Sequence, residues 1–336
     1  MQEKENHFIK NIEIKNFKCF EDFKAEGFGR VNLIGGKNNV GKTAFMESLF
    51  IASESIYIED VLDDIIPFLR IESLRGIVNI EDILVADIIG IFDKYQNFSI
   101  KTNNALMSLI IKKQGVEEKF LINSKDHGLS RRLNKEKVRV KKKSYNFIPS
   151  YMIGDSLIVS IFDKIKEQRK REKLNQFLNQ FDKNILEFDV IENRPQVFLE
   201  NQERFQDVAE LGHGLKRYIA IIGSILINKN GFLFLDEIEN GVHHSQLDKL
   251  WNIILTLAKE QNVQVFATTH SDECIRALVT ANTEDVKSYQ PKEHVLKDDE
   301  IQFIELGRVD GKVDSIIFDF KELENEVAQN MEIRGW

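Results

Sequence analysis

The sequence predicts an α/β fold in which a largely parallel sheet is built around a phosphate-binding loop. Three observations carry that expectation. The octet Gly36-Lys37-Asn38-Asn39-Val40-Gly41-Lys42-Thr43 follows the apolar run Val31-Asn32-Leu33-Ile34 and leads into the helical stretch Ala44-Phe45-Met46-Glu47-Ser48-Leu49-Phe50. The run Phe232-Leu233-Phe234-Leu235 ends in two adjacent carboxylates, Asp236 and Glu237. A third run, Val265-Phe266-Ala267-Thr268, ends in Thr269-His270-Ser271. Short apolar runs of this kind suit strands covered on both faces, alternating with helices.

Strand, glycine-rich turn and helix, in that order, give the octet its chemical meaning. Backbone N–H groups of Gly36, Asn38, Asn39 and Gly41, with those of the helix start, can surround a triphosphate. Lys42 would set a cation against the β and γ phosphates, and the Thr43 hydroxyl would ligate Mg²⁺. ATP and Mg²⁺ are the expected ligands.

Before the loop, residues 7–14 alternate well enough for a first strand. After it, 42–58 read as a helix, and 59–93 as further helix with Ile, Leu and acidic residues at mixed spacing. The texture changes at Asn97. Phe98-Ser99-Ile100-Lys101, Met107-Ser108-Leu109-Ile110-Ile111, Lys119-Phe120-Leu121-Ile122 and Val138-Arg139-Val140 resemble short strands between polar turns. Residues 59–145 are thus expected to form an inserted helical and antiparallel lobe. Residues 155–190 read as a short helical arm, with Ile161, Ile165, Leu174, Phe177, Leu178 and Phe181 among charges. Within it 164–173 is nearly all polar, as at an exposed helix or helix junction. Residues 205–336 form the second half of the domain. There 218–227 is a buried helix, followed by strand 232–235, helix 245–260, strand 263–268 and helix 272–279. Strands near 301–305 and 313–318 and a final helix at 321–331 close the chain. No internal repeat or low-complexity linker divides it, so 1–336 is read as one domain.

A length of 336 residues allows a sizeable core. The 24 phenylalanines against 4 prolines suit a packed domain. The formal charge of −8 argues against coating nucleic acid by bulk electrostatics and leaves a local basic track open. Two cysteines, Cys19 and Cys274, exclude a disulfide scaffold or a cysteine-rich metal site. Neither an export signal nor an apolar run of membrane-spanning length is visible, and a cytoplasmic location is expected. His243 and His244 are adjacent, which is not the one-turn spacing of a helical metal site.

At the end of its strand, Asp236 can help hold Mg²⁺, directly or through water. Glu237 points the other way and can polarise the attacking water. Two acids ending a buried strand are costly unless metal or hydrogen bonds compensate them. The imidazole of His270 could hydrogen-bond the γ-phosphate or that water.

These residues resemble an ATPase of the ABC superfamily in its chromosome-maintenance branch, beside the RecF, SMC and Rad50 heads and the OLD-type ATPases. The likeness extends to small stand-alone bacterial AAA15-type ATPases. Ile14-Lys15-Asn16-Phe17-Lys18-Cys19-Phe20 resembles the Asn-Phe-x-x-Phe entry of that branch. Residues 33–43 resemble its phosphate loop, Leu235-Asp236-Glu237-Ile238-Glu239-Asn240-Gly241 its Walker B segment, and Thr268-Thr269-His270-Ser271 its histidine switch. Glu210-Leu211-Gly212-His213-Gly214-Leu215-Lys216-Arg217 stands in the place of the ABC signature, with His213 between the glycines and no leading serine. The resemblance implies that Gly212, His213 and Gly214 cover a nucleotide held by a second subunit, in a homodimer with composite sites; His213 or Lys216 could add donors. It also implies a glutamine-bearing loop near Phe147-Ile148-Pro149-Ser150, a stretch that contains no glutamine.

Relatives carry long coiled coils, a C-terminal nuclease domain, or neither, and within these 336 residues neither addition is expected. A role in DNA repair, nucleic-acid surveillance or anti-phage defence would then need a separate nuclease or toxin effector. The basic stretch 131–143 could contact DNA phosphates without reading sequence, as could 164–173. Two further readings stay open: a regulatory ATPase that binds a protein effector without touching DNA, and a transport ATPase, which the Asn-Phe-x-x-Phe entry disfavours.

Overall fold

A computed structural model describes residues 7–55, 98–104, 106–114, 117–122, 125–126, 146–151, 153–284 and 292–329. The expected helix at 59–93, the strand at 138–140 and the basic stretch 131–143 lie outside the described residues.

Among the described residues the central sheet has six strands. At its middle are β3 (Val31–Gly36), β13 (Gln264–Thr268) and β12 (Phe232–Leu235), parallel to one another. The short β8 (Phe147–Ile148) continues the parallel set beside β12. On the other flank β14 (Ile301–Val309) runs parallel to β3, and β15 (Lys312–Asp319) closes the edge as its antiparallel hairpin partner. That hairpin turns on Asp310-Gly311, both at positive φ, the geometry that matches strand twist in a two-residue turn.

The middle strands β3, β12 and β13 are buried on both faces, so alternate side chains enter two different cores. Val31, Leu33, Leu233, Leu235, Val265 and Ala267 face one cluster. It is roofed by α2 (Asp155–Glu167), α3 (Arg171–Phe181), α4 (His213–Ile227), α5 (Leu247–Gln261), α6 (Asp272–Thr283) and α7 (Phe320–Ala328). Trp251 is fully buried there and donates its indole N–H to the Cys274 carbonyl at 3.1 Å. Ile34, Phe232, Phe234 and Phe266 face the other cluster, under α1 (Lys42–Ser55). Much of the phenylalanine content is spent in this layer: Phe234 stacks on Phe266 at 5.7 Å, and Phe50 of α1 meets Phe234 edge-on at 5.6 Å. Aromatic packing of this type fixes the height and tilt of α1, and with it the phosphate loop.

Three expectations change against this architecture. The first strand, β1, runs Asn11–Phe17 rather than from residue 7, because Phe8 and Ile9 precede it as a buried loop tied to Gln264. Its hairpin partner is β2 (Phe20–Glu26). Among the described residues, the strands read as part of an inserted lobe, β4 (Phe98–Thr102), β5 (Leu106–Gln114) and β6 (Glu117–Ile122), are not a separate sheet, and β7 (Lys125–Asp126) follows them. They extend β1 and β2 into a second six-stranded sheet, with β4 paired to β1. The stretch 155–190 is not helical throughout. It breaks at 168–170, where Arg169 sits at φ 57°, and α3 ends at Phe181. β9 (Ile185–Ile191) follows, paired with β10 (Arg194–Leu199) and through it with β11 (Gln206–Asp207).

Candidate active site

Parallel strands ending at one edge of a sheet bring their following loops together, and here β13 lies between the loop-bearing β3 and the carboxylate-bearing β12. β3 ends on Gly36 at φ 134°, where a Cβ would stand 2.5 Å from the Leu306 carbonyl oxygen, so no other residue fits that turn. Residues 37–39 are exposed, Asn39 takes φ 60°, and buried Val40 pins the loop to the core beneath α1. Lys42 and Thr43 then open α1.

The Lys42 ammonium folds back onto its own loop, donating to the carbonyl oxygens of Gly36 at 2.6 Å and Lys37 at 3.0 Å. Burial lowers its pKa, and the Glu237, Glu239 and Asp236 carboxylates act in the opposite direction. Thr43 is exposed, with its hydroxyl 3.4 Å from Asp236 Oδ1. The same Oδ1 accepts a hydrogen bond from the Thr268 hydroxyl at 2.8 Å, and Thr268 in turn accepts the Glu237 N–H at 2.7 Å. One threonine of the middle strand therefore locks both carboxylate-bearing residues.

The adjacent acids diverge. Asp236 is buried, whereas the Glu237 side chain keeps 40% of its exposure and leaves the strand in a left-handed turn at φ 50°. A non-glycine residue held there stores strain, and such strain gathers at functional sites. His270 follows β13 with its ring half exposed; Nδ1 lies 4.0 Å from Glu237 Oε1 and 3.2 Å from Glu239 Oε1. Lys42, Thr43, Asp236, Glu237 and His270, from three separate stretches of sequence, thus share one rim. Thr43 and Asp236 offer the hard oxygen donors that Mg²⁺ accepts beside phosphate oxygens and water. Among the described residues no group of three or more His, Cys, Asp or Glu forms a metal cage of its own.

Gly212 and Gly214 flank the start of α4 and differ in their surroundings. Gly212, at φ 100°, opens onto free space next to the exposed Leu211. Gly214 is packed so that a Cβ would come within 2.3 Å of the Gly241 carbonyl oxygen. Gly214→Ala is therefore expected to lose about 1–3 kcal/mol of stability through overpacking. Urea denaturation checks this, and an unchanged midpoint would refute the close contact. Lys216 is not available to a nucleotide as it stands: its ammonium, only 12% exposed, donates to Asp155 Oδ1 at 2.5 Å.

Arg217 and Glu239 are the site-building residues to which the sequence reading gave no role. The guanidinium of Arg217 is buried and donates to three backbone carbonyls: Pro149 at 2.6 Å, Asp236 at 2.5 Å and Glu237 at 2.9 Å. It ties α4 to the ends of β8 and β12, and burial brings its pKa down to about 10 against the pull of Asp236, Glu239 and Glu237. The available signal was the cation pair Lys216-Arg217 opening an otherwise apolar helix, since a cation buried there must find partners. The segment after β8, where the resemblance implies a glutamine, carries Tyr151. Its phenol is raised above the ordinary value by burial and by Asp236.

A family profile described as "AAA domain, putative AbiEii toxin, Type IV TA system" matches residues 31–276. A Helicobacter pylori protein described as an ATP/GTP phosphatase is 25% identical over 348 residues, covering 87% of this chain and 93% of its own. Two solved Smc heads share the fold. One, bound to the C-winged helix domain of ScpA, has a TM-score of 0.54 at 12% identity, covering 96% of this chain and 100% of its own. The other, bound to the C-terminal domain of ScpA derived from Pyrococcus furiosus, has a TM-score of 0.54 at 9% identity, with 96% and 99% covered.

Proposed function

We infer the function from the family to which the chain belongs, "AAA domain, putative AbiEii toxin, Type IV TA system"; with its Smc-head fold, it is a P-loop ATPase. Within that class we propose a division of labour around the shared rim. Lys42 holds the β and γ phosphates, and the N–H groups of residues 36–43 surround them. Thr43 and Asp236 hold Mg²⁺, which screens phosphate charge when bound. Glu237 orients and deprotonates the attacking water, and His270 contacts the γ-phosphate or that water. The observation that carries this reading is the splitting of two adjacent carboxylates by Thr268, one turned to Thr43 and the other to solvent beside His270.

The glycine pair at the start of α4 serves a second copy. Gly212 presents backbone to open space, as a surface would that covers nucleotide on a partner, and the proposed product is a two-fold dimer closed by ATP. Its closing drives a separate effector in nucleic-acid surveillance, repair or defence. The toxin–antitoxin wording of the family description supports the defence branch. A protein effector without DNA contact is the second reading, favoured by the Smc head whose solved partner is the ScpA winged helix. Salt-dependent duplex binding that disappears when the 131–143 cluster is neutralised would select the first; its absence selects the second. Among the described residues no helix is long and apolar enough to cross a membrane.

ATP is expected to shift Glu237→Gln protein from monomer to dimer in sedimentation, and identical distributions with and without ATP would count against the composite site. Gly212→Val should block the shift, but any side chain at φ 100° costs about 1–3 kcal/mol in backbone strain. Leu211→Glu, beside it and already exposed, places charge on the same face without that strain and should block dimerisation too.

A further inference from the structure

We propose that Glu239 is a positioning residue that fixes the ring of His270 and its tautomer. Glu239 lies in the turn after β12, two residues beyond Glu237, and its carboxylate crosses to the loop after β13. There Oε1 accepts the backbone N–H of His270 at 2.9 Å and stands 3.2 Å from ring Nδ1. Both loops are anchored from below: buried Ile238 donates its N–H to the Thr268 carbonyl, and Thr269 donates to Ile34 of β3. The carboxylate and the ring are therefore held by neighbouring strand ends rather than by free loops.

Two carboxylates face Nδ1, and distance and solvent separate their effects. Glu237 is farther, at 4.0 Å, and 40% exposed; Glu239 is nearer, and its side chain is 12% exposed. The shorter, drier pair dominates. A negative charge beside Nδ1 favours the proton on that nitrogen, leaving Nε2 as the free end of the ring. Among the described residues, the charge of Glu239 is also felt by Lys42, Arg217 and Cys274. They lie on α1, α4 and α6, and among the described residues no hydrogen bond or ion pair joins them to Glu239. Glu239 Oε2 is buried without a hydrogen-bond partner among the described residues. Leaving a carboxylate oxygen so placed is costly, which a loop tether alone does not require, since an amide could accept the same backbone N–H.

The proposal depends on the role inferred for His270 only in its consequence for hydrolysis; the tautomer is read in the nucleotide-free chain. The full chain labelled with ¹⁵N-histidine, with His270 assigned by its loss in His270→Asn, should show the Nδ1–H tautomer above pH 8. Glu239→Ala should move it toward the Nε2–H form that free imidazole prefers. Glu239→Met, similar in volume but without an acceptor, replaces it if the alanine variant does not fold. Single-turnover hydrolysis should fall about tenfold with ATP affinity retained, the scale of one well-placed hydrogen bond. In a His270→Ala background the Glu239 substitution should add nothing. An unchanged tautomer, or a full additional loss in that background, overturns the proposal. Full-rate hydrolysis by His270→Ala alone would instead remove the role given to His270, leaving the tautomer result standing.

Discussion

Lys42→Ala is expected to lose ATP binding by about 100-fold or more, with little change in folding. The ammonium now donates to the Gly36 and Lys37 carbonyls, so it lies within the curve of the loop that would hold phosphates. Charge-assisted hydrogen bonds contribute roughly 1.5–3 kcal/mol each, and a lysine that meets two phosphates makes two of them. Burial lowers the Lys42 pKa while three carboxylates raise it, so triphosphate oxygens would add a strong partner to a group already short of solvent. Folding should survive because Lys37 is exposed and its carbonyl can turn to water. Titration calorimetry with Mg-ATP, beside a thermal melt of the free protein, separates the two effects. Wild-type affinity in a well-folded Lys42→Ala chain would remove the phosphate loop from the site.

How far the sequence carried depends on the type of signal. The central strands were legible because each is a short apolar run with a polar exit, and β3, β12 and β13 fall where those runs were read. Which residues share the rim was legible for the same reason: strand ends of a parallel sheet converge. β9 was not, although its signal was present. Ile185 and Phe188 continue the helical spacing of Leu178 and Phe181, and only Glu192-Asn193, both left-handed, marks a two-residue hairpin. The Asp310-Gly311 turn carries the stronger version of that signal, and the strands on either side of it were read. The joining of β4 to β1 could not be read, because pairing across about 80 intervening residues leaves no local trace. Arg217 and Glu239 lie in motifs whose roles are carried by their neighbours. Only the fold shows that one holds the Glu237 backbone and the other faces His270.

Glu237→Gln is expected to separate hydrolysis from binding. The amide has nearly the volume of the carboxylate and no basic oxygen, so a positioned water would lose its proton acceptor. Hydrolysis in a single turnover should fall by roughly 10²–10⁴-fold, the contribution of a placed acid–base group, while ATP affinity stays near wild type. The geometry makes the comparison clean. What holds Glu237 is its backbone, through Thr268 on the N–H and Arg217 on the carbonyl, and neither contact involves the carboxylate. The left-handed turn is the same for either residue, so the strain is unchanged. Asp236→Asn is the counterpart. Its Oδ1 can still accept the Thr268 hydroxyl, so the loop should keep its shape while the charge facing Thr43 disappears. That variant should lose the Mg²⁺-dependent part of ATP binding. The pair of measurements assigns the two acids separately. If Glu237→Gln hydrolyses bound ATP at the wild-type rate, the base lies elsewhere on the rim, and His270, 4.0 Å from Glu237 Oε1, becomes the first residue to exchange.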